Sequence, residues 1–544
     1  MKILRYTSYL YILILLSISM VAQDGQLDPT FGNGGIVLTE IGLGGGANAL
    51  EIQDDGKILV GGYAAFNMRT YFVLIRINED GSYDDLFGSN GIVTTEMGIN
   101  GFRIESIEIQ EDDKILVTGS YHNINPNFDI ALVRYNPDGS LDDSFGSEGK
   151  VIVDIMNDID SGYDLSIQQD GKIVVVGSAV TPTAQKMVAL RFNNDGSLDD
   201  TFGDDGIILV PFTDGQIQVA KSVEVLPGGN ILISGTTWSS NNFTLFTAVC
   251  LLPNGTLDSS FANQGILTTD IGQYGDMCTS MALYPNGKFL LSGFSDEGYP
   301  TNNDYSIARY NKDGSLDSTF NSNGTKIIDL GGTQELSYDC KIQSDGKILL
   351  TGQSRHNQNL FNDFTIVRLE ADGSLDKDFN STGMVFTDVY NLENIAYAVD
   401  LQNDGKIIIT GITSSISSPD TIAKISTLRY TGSSGPVNVN HRGEIKLSAF
   451  HLDQNYPNPF NPSTIISWQV PVGSWQTLKI YDVLGNEVAT LVDEYKPAGS
   501  YEVEFNALLL NGSVSAKGGY ASGVYFYQLR GESFVESKKM VLIK

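Results

Sequence analysis

The sequence has few of the residues that build catalytic or metal centres. Of 544 residues only 3 are cysteine and 4 are histidine. Cys250, Cys278 and Cys340 follow no metal-ligand spacing, so we interpret them as buried thiols and not as a disulfide framework. The motifs G-x-S-x-G and H-E-x-x-H and a phosphate loop are also missing. The sequence therefore assigns no catalytic residue.

Positive charge is scarce as well. The 34 Lys and Arg residues against 65 Asp and Glu residues give a net charge of −31 at pH 7. Such a field repels DNA, RNA and anionic lipid, which argues against nucleic-acid binding. Solubility explains the charge, and divalent-cation binding is the sharper alternative.

Long apolar runs are confined to the N-terminus. Lys2 and Arg5 precede an apolar run from Tyr9 to Ile18, and small residues follow at Val21-Ala22. This pattern is typical of a signal peptide, which we assign to residues 1–22. The run is short for a membrane span. We therefore expect an exported protein without a transmembrane segment after signal removal.

What the chain has is a repeat. Its clearest copy is Asn136–Gly146, with the sequence Asn-Pro-Asp-Gly-Ser-Leu-Asp-Asp-Ser-Phe-Gly. A fixed period of 56 to 59 residues is the signature of a repeat architecture. The phenylalanines of the seven copies are Phe31, Phe87, Phe145, Phe202, Phe261, Phe320 and Phe379.

Each repeat contains four short apolar runs separated by turns, which predicts one four-stranded antiparallel sheet. An Asx-Gly-Lys turn precedes the second run, and its glycine supplies the positive φ that such a hairpin needs. Arg ends the third run, except where Cys250 replaces it. In the unit that starts at residue 102 the runs are Ile104–Gln110, Ile115–Gly119, Phe128–Tyr135 and Lys150–Ile155.

Seven such sheets predict an all-β, seven-bladed β-propeller over residues 23–430. A linear stack would need distinct capping repeats, and the terminal repeats look ordinary. The chain enters with a fourth-type strand, Ile36–Ile41, whereas its last unit, Ala396–Tyr430, lacks one. We therefore expect Ile36–Ile41 to pair beside Thr421–Tyr430, closing the ring and covering two sheet edges.

The two ends of the ring differ. The Asp-Gly-Lys turns and the Asp-Gly-Ser-Leu-Asp-x-x-Phe-Gly segments share one end, the constant end. The second-to-third and fourth-to-first loops differ in every unit and share the variable end, where individual function can sit. Tyr-rich rims suit sugars or proteins, although these rings could instead pack against neighbouring loops. The predicted binding residues are Tyr63, Phe66, Tyr121, His122, Trp238, Phe294, Tyr299 and His356.

The acids of the constant motif, such as Asp195 and Asp199–Asp200, could hold calcium, but they do not match the spacing of a calcium loop with a closing Glu. We favour a structural role and predict no cofactor, with calcium as the alternative. The first Asp makes an Asx turn, Leu and Phe fill the gap between blades, and the later Asp pairs with the repeated Arg or caps backbone N–H groups. Given that pairing, the unit with Cys250 has lost its cation.

The repeat resembles the family of delta-60 repeats. It matches their Asp-Gly-Lys-Ile turn, a strand ending in Arg, and Asp-Gly-Ser-Leu-Asp-x-x-Phe-Gly over about residues 26–430. The Asp112-Asp113 and Gly228-Gly229 turns and Cys250 depart at single positions. The resemblance implies a bacterial, exported, propeller-like protein and no general activity.

The composition changes after residue 430. Residues 431–447 are rich in Gly, Ser, Pro and Asn and predict a linker. Residues 448–544 alternate in short segments that predict a small Ig-like sandwich. Its predicted strands are Ile465–Val470, Gln476–Tyr481, Glu487–Val492, Gly499–Phe505, Gly523–Leu529 and Phe534–Ile543.

Residues 448–544 resemble the type A C-terminal sorting domain of type IX secretion. The match rests on Asn-Tyr-Pro-Asn-Pro-Phe-Asn-Pro-Ser-Thr, Tyr-Asp-Val-Leu-Gly, Ser-Gly-Val-Tyr and a final Lys-Lys-Met, with Leu508–Tyr520 as an insertion. It implies the type IX machinery as partner, and a secreted or outer-membrane-surface location in a Gram-negative bacterium of the Bacteroidota type. Removal of the domain and surface attachment often follow. The implied sorting-signal residues are Asn455, Pro457, Pro459, Gly485, Gly523, Tyr525, Lys538 and Lys539.

Together these features predict an exported propeller that acts as a binding or scaffold module for an extracellular glycan or protein. The alternative is a propeller enzyme, a lyase or hydrolase, with acidic residues or a cation in the central channel. A structural surface protein without a specific ligand is the third hypothesis. Converging carboxylates at the channel mouth would favour the enzyme, and an apolar or plugged channel beneath aromatic loops would favour binding.

Overall fold

A computed structural model of the chain describes most of residues 23–433 and 451–543. The gaps are residues 68, 99, 123–126, 213–216, 239–242, 299–302, 357–359, 415–422, 453, 456, 471–473, 497–498, 508, 511–512, 515–519 and 532–533. The predicted signal peptide and most of the predicted linker lie outside the described residues. Within them the regular structure is entirely strand, and no helix is long and apolar enough to cross a membrane.

Residues 36–430 form seven four-stranded antiparallel sheets. The strands are β1 (Ile36–Thr39), then β2 (Gly45–Ile52), β3 (Ile58–Phe66), β4 (Arg69–Ile77) and β5 (Ile92–Thr95) of the first blade. The second and third blades contain β6 (Asn100–Ile109), β7 (Ile115–His122), β8 (Phe128–Tyr135), β9 (Lys150–Val153), β10 (Asp160–Ile167), β11 (Ile173–Val180), β12 (Gln185–Phe192) and β13 (Ile207–Leu209). The fourth and fifth contain β14 (Gln218–Val225), β15 (Ile231–Trp238), β16 (Thr244–Leu251), β17 (Ile266–Thr269), β18 (Gly275–Leu283), β19 (Phe289–Asp296), β20 (Asn303–Tyr310) and β21 (Thr325–Ile328). The last two contain β22 (Thr333–Ile342), β23 (Ile348–Arg355), β24 (Asp363–Leu369), β25 (Met384–Thr387), β26 (Glu393–Leu401), β27 (Ile407–Ser414) and β28 (Lys424–Tyr430).

The strand β1 completes the last blade. It pairs antiparallel with β28, with Ile36 opposite Leu428 and Thr39 opposite Ile425. The resulting strand order is β1-β28-β27-β26. This register confirms that the N-terminal strand closes the final sheet.

The seven sheets form a closed ring. The innermost strands β2, β6, β10, β14, β18, β22 and β26 contact one another in turn, and β2 also contacts β26. Apolar side chains fill the space between neighbouring sheets, as with Val60 and Ile408 at the junction of the first and last blades. The second strand of each blade is buried on both faces, which explains near-continuous apolar runs such as Ile173–Val176.

An ion pair secures the constant end of six blades. In the second blade Arg134 Nε donates to Asp142 Oδ2 at 2.7 Å, and the guanidinium lies 4.4 Å from the centroid of the Phe145 ring. Asp138 accepts the N–H and hydroxyl of Ser140, forming the expected Asx turn. Phe145 itself is buried between blades. The structural interpretation of the motif is therefore confirmed. The six pairs are Arg76–Asp84, Arg134–Asp142, Arg191–Asp199, Arg309–Asp317, Arg368–Asp376 and Arg429–Asp28.

The fourth blade replaces this pair with neutral groups. Cys250 is buried where the arginine would lie, and Asn230 stands where the turn lysine would. Asn230 Nδ2 donates to Asp258 Oδ2 at 2.9 Å. This unit has therefore lost its cation, as expected, and an amide takes its place. All three cysteines are free and buried, as predicted.

Residues 451–543 form a small sandwich of two sheets, compatible with the predicted Ig-like domain. The strands are β29 (His451–Leu452), β30 (Ser463–Val470), β31 (Ser474–Tyr481), β32 (Glu487–Lys496), β33 (Gly499–Asn506), β34 (Leu509–Leu510), β35 (Ser513–Val514), β36 (Gly523–Arg530) and β37 (Val535–Leu542). One sheet has the order β29-β30-β33 and the other β32-β31-β36-β37, around a core that contains Trp468, Leu478 and Tyr527, while β34 and β35 pair with each other. The six predicted strands are all present, with ends that differ by a few residues.

Candidate binding site at the variable end

The second strand of a blade reaches further towards the variable end than the sequence suggested. In the second blade it was predicted to end at Gly119, but β7 continues to His122. Tyr121 and His122 therefore lie on the strand and not in the following loop. The extension is favoured because β7 and β8 stay paired up to His122 and Phe128.

Three of the predicted binding residues pack against another aromatic ring. The pairs, with the distance between ring centroids, are Phe66–Tyr71 at 5.4 Å, His122–Phe128 at 4.9 Å and His356–Phe386 at 3.9 Å. Burial also lowers the pKa of His356. Tyr63, Tyr121, Trp238 and Phe294 are half-buried at strand positions, and Tyr299 lies outside the described residues.

The variable end also has exposed apolar side chains that we did not predict from the sequence. Leu360 is 78% exposed and Tyr390 is 68% exposed. They lie in a second-to-third loop and a fourth-to-first loop, respectively. Leu43, Met156, Phe243 and Tyr274 share this location and are also exposed. At the constant end, Leu86 and Leu316 are exposed.

A ring of seven side chains lines the central channel. Every innermost strand contains a β-bulge, which leaves one residue unpaired in the ladder. We call these residues the bulge ring. Each lies eight residues before the glycine of the second-strand turn, or before Asp113 in the second blade, so this spacing could have identified them. They are Asn48, Glu105, Tyr163, Lys221, Thr279, Tyr338 and Tyr397.

The tyrosines of the bulge ring contact their neighbours. The rings of Tyr338 and Tyr397 have centroids 4.9 Å apart, and Lys221 Nζ lies 3.6 Å from the centroid of the Tyr163 ring. Burial raises the pKa of Tyr397, and the nearby Tyr63 adds to this shift. Tyr63 reaches this neighbourhood because the residue opposite it is Gly46, where a Cβ would lie 3.0 Å from the tyrosine ring.

The acid of the bulge ring is paired. Arg103 Nε donates to Glu105 Oε1 at 2.6 Å. Burial nevertheless raises the pKa of Glu105, although the arginine opposes this shift. The site therefore combines aromatic faces with groups of both charges.

Further carboxylates lie in the channel towards the constant end. Asp400, Asp339, Glu51 and Glu224 together raise the pKa of Lys341, with Asp400 contributing most. Asp339 accepts hydrogen bonds from Ser280 Oγ at 2.7 Å and from the Val399 N–H at 2.9 Å, so it joins three blades. The channel is neither apolar nor lined by acids alone.

Carboxylates also gather at two blade junctions of the variable end. Each cluster takes one acid from the start of a third strand, one from the loop after the fourth strand and one from the start of the next blade. In each cluster, oxygens of the three carboxyl groups lie within 4.8 Å of one another. The pKa values of Asp160 and Glu335 are raised to about 7, mainly by burial. The clusters are Asp129, Asp154 and Asp160, and Asp304, Asp329 and Glu335.

The predicted sorting-signal residues divide into buried and exposed groups. Asn455 is buried, and its Nδ2 donates to Thr464 Oγ1 at 2.9 Å. Tyr525 packs in the sandwich core. Gly485 adopts φ 83° in the turn between β31 and β32. The remaining residues, Pro457, Pro459, Gly523 and Lys539, are exposed, and Lys538 is half-buried.

The fold defines a β-propeller repeat protein with a C-terminal sandwich. A family model described as a domain of unknown function (DUF5122) beta-propeller matches six segments, and the model of the secretion system C-terminal sorting domain matches residues 454–544. The chain therefore contains DUF5122 propeller repeats and a type IX sorting domain, which indicates a secreted or cell-surface protein of a Bacteroidetes-type bacterium. The six segments are residues 53–87, 110–145, 168–202, 227–261, 285–320 and 343–379.

The six matches and the seven blades agree. Each match runs from a second-strand turn to the phenylalanine of the constant motif. In the last blade the turn lies at Asp404-Gly405-Lys406, but the matching phenylalanine is Phe31, near the start of the chain. The seventh unit is thus split between the two ends of the propeller.

Several solved structures resemble the chain in outline. The polysaccharide lyase Uly1 is 10% identical, with a TM-score of 0.41 over 76% of this chain and 94% of that one. The propeller domain of the Trilobed protease from Pyrococcus furiosus is 9% identical, with a TM-score of 0.37 over 75% and 97%. An alpha-L-arabinanase from Penicillium chrysogenum is 12% identical, with a TM-score of 0.37 over 59% and 91%. A search of curated proteins found no match.

Proposed function

We propose that this protein is an exported binding module that takes an extracellular glycan at the variable end, over the bulge ring. The observation that carries the proposal is the set of three tyrosines in that ring, Tyr163, Tyr338 and Tyr397. Tyrosine rings offer apolar faces for the C–H groups of sugars, and their hydroxyls offer hydrogen bonds.

The surrounding side chains support a polar ligand. Lys221 and Arg103 can donate hydrogen bonds, while Glu105 can accept them. Of the residues predicted from the sequence, Tyr63 belongs to this site because it neighbours Tyr397. The other predicted rings of the variable end would surround the mouth and contact a longer chain.

The test is glycan-array binding by the purified full-length protein, followed by titration of the best glycan. Tyr397→Ala removes the stacking face, which is worth about 1–2 kcal/mol, and should weaken binding roughly tenfold. Tyr397→Phe keeps the ring and serves as the matched control, so it should bind within about threefold of the unchanged protein. Absence of glycan binding, or equal binding by both variants, would contradict the proposal and favour a protein ligand.

The second candidate is a propeller enzyme, a lyase or hydrolase acting in the channel. The observation that favours it is the carboxyl of Glu105 in the bulge ring, whose pKa burial raises, because the general acids of enzymes are often carboxyls with a raised pKa. Glu105→Gln should then abolish turnover of the bound glycan while leaving its binding intact. If no glycan that binds the protein is turned over, the enzyme hypothesis fails.

A further inference from the structure

The carboxylate cluster at the junction of the second and third blades has a geometry that suits one cation. Asp129 comes from β8, Asp154 follows β9, and Asp160 begins β10. Oxygens of the three groups lie within 4.8 Å of one another. Calcium binds oxygen at about 2.3–2.6 Å, so two ligands of one ion are at most about 5 Å apart. The three oxygens can therefore share a single ion.

Few groups around this cluster offset its charge. Burial and the charge of Asp154 raise the pKa of Asp129, and the nearby His122 opposes this shift only in part. Asp160 is 0% exposed, and its Oδ2 accepts the N–H of Ile155. Its Oδ1 has no hydrogen-bond partner among the described residues. A buried carboxylate oxygen without a partner is costly, and two further carboxylates beside it add like-charge repulsion. Among the described residues, no lysine or arginine contributes to the pKa shifts of Asp129 and Asp160.

We propose that Asp129, Asp154 and Asp160 bind a Ca²⁺ ion that ties the second blade to the third at the variable end. The three groups are hard oxygen ligands, and backbone carbonyls and water would complete a coordination shell of about six to eight oxygens. The ion would offset two of the three negative charges of the cluster and give the buried Oδ1 a partner. The proposal concerns a site on the blade junction and is independent of glycan binding at the bulge ring.

Another junction supplies a natural comparison. Between the fourth and fifth blades Asp270 and Asp276 occupy the positions of Asp154 and Asp160, but Leu245 stands where Asp129 would be. Asp276 Oδ2 accepts the Ile271 N–H, and its Oδ1 accepts from Ser295 Oγ and the Gly272 N–H. This junction satisfies its buried carboxylate with protein donors and should bind no ion.

The experiment is calorimetric Ca²⁺ titration of the full-length protein after removal of metal with a chelator. We expect binding with a dissociation constant on the order of 10⁻⁴ M, within the range of extracellular calcium modules. Asp154→Asn should weaken this site at least tenfold, because it removes one of three charged ligands. Asp154 is exposed, so this variant should fold.

Asp270→Asn is the matched control, since Asp270 is exposed and holds the same loop position at the other junction. It should leave Ca²⁺ binding unchanged. Ca²⁺ should also raise the melting temperature of the unchanged protein and of Asp270→Asn by the same amount. The rise should be smaller for Asp154→Asn. If the unchanged protein binds no Ca²⁺ at millimolar concentration, or if both variants lose binding equally, the site does not exist.

Discussion

Carboxyl groups at the two ends of the propeller have pKa values that are shifted in opposite directions. At the constant end, hydrogen bonds from hydroxyls and N–H groups and the repeated cations lower the pKa of Asp142 and Asp317 despite their burial. At the variable end, burial and neighbouring acids raise the pKa of Asp304 and Asp363 to about 6. The same residue type is thus stabilised as an anion at one end and destabilised as an anion at the other.

This difference separates folding from function. The constant end satisfies its acids with the same few donors in six blades and with an amide in the fourth, so these acids contribute to stability. The variable end retains charge that the neighbouring side chains do not compensate, which is the condition under which a cation or a ligand with hydrogen-bond donors gains most. Changes at the two ends should therefore differ in sign and in size.

The largest effect should come from removing one arginine of the constant end. Arg368 is 2% exposed, and its Nε donates to Asp376 Oδ2 at 2.6 Å. Arg368→Ala would leave a buried carboxylate with Lys347 as its remaining cation. We expect a loss of about 3–5 kcal/mol in the free energy of unfolding, measured by denaturant titration followed by circular dichroism.

The fourth blade provides the control for this change. Arg368→Cys combined with Lys347→Asn reproduces its neutral arrangement in the sixth blade. The amide can donate to Asp376 as Asn230 does to Asp258. We expect the double variant to recover much of the stability that Arg368→Ala loses. A double variant as unstable as Arg368→Ala would show that blade-specific packing, and not the hydrogen bond to Asp, sustains the fourth blade.

The second-largest effect should be a loss of folding stability at low pH, caused by protonation of the acids at the constant end. Burial alone would raise the pKa of Asp376, but hydrogen bonds from Lys347 and the Asp378 N–H, together with the charge of Arg368, lower it from 3.8 to about 2. A carboxyl whose pKa is lower in the folded state contributes stability above its ordinary pKa, and this contribution is lost as the pH falls from 3.8 towards 2. Melting temperatures should drop across this window. Asp376→Asn should show a smaller drop, and an equal drop would contradict the assignment.

The smallest effect, with the opposite sign, is expected at the variable end. Burial raises the pKa of Asp363 to about 6, and Asp388 and Glu393 add to the shift. The stability associated with this raised pKa is present below the ordinary value and is lost as the pH rises through about 6. Asp363→Asn removes the penalty of the buried charge and should stabilise the protein by about 1–2 kcal/mol at pH 8.

The control for Asp363→Asn is the same protein at low pH. Below its folded pKa, Asp363 is already neutral, so the gain in melting temperature should shrink towards pH 5. Asp376→Asn, the equivalent change at the constant end, should destabilise at pH 8. If both variants shift stability in the same direction, the two ends do not differ as described.

The sequence predicted the ring, the number of blades and the closure by β1, because the information for them is local. The turn glycines and the repeated Arg can each be recognised within a single repeat. So can the fact that the first strand of the chain is of the fourth type. The acidic cluster could not be predicted in this way, since Asp129 and Asp160 belong to different blades and meet only when the ring forms. The bulge ring could have been predicted from the sequence, because each of its residues lies eight positions before the turn glycine, or before Asp113 in the second blade.

The closure of the ring by β1 sets an order of events. As the chain is synthesised from its N-terminus, β1 has no partner until β28 exists, nearly the whole propeller later. The sorting domain begins shortly after β28. The address for export thus becomes available only after the last blade has been made. A chain that stops before β28 therefore has an unpaired β1 and also lacks the sorting domain.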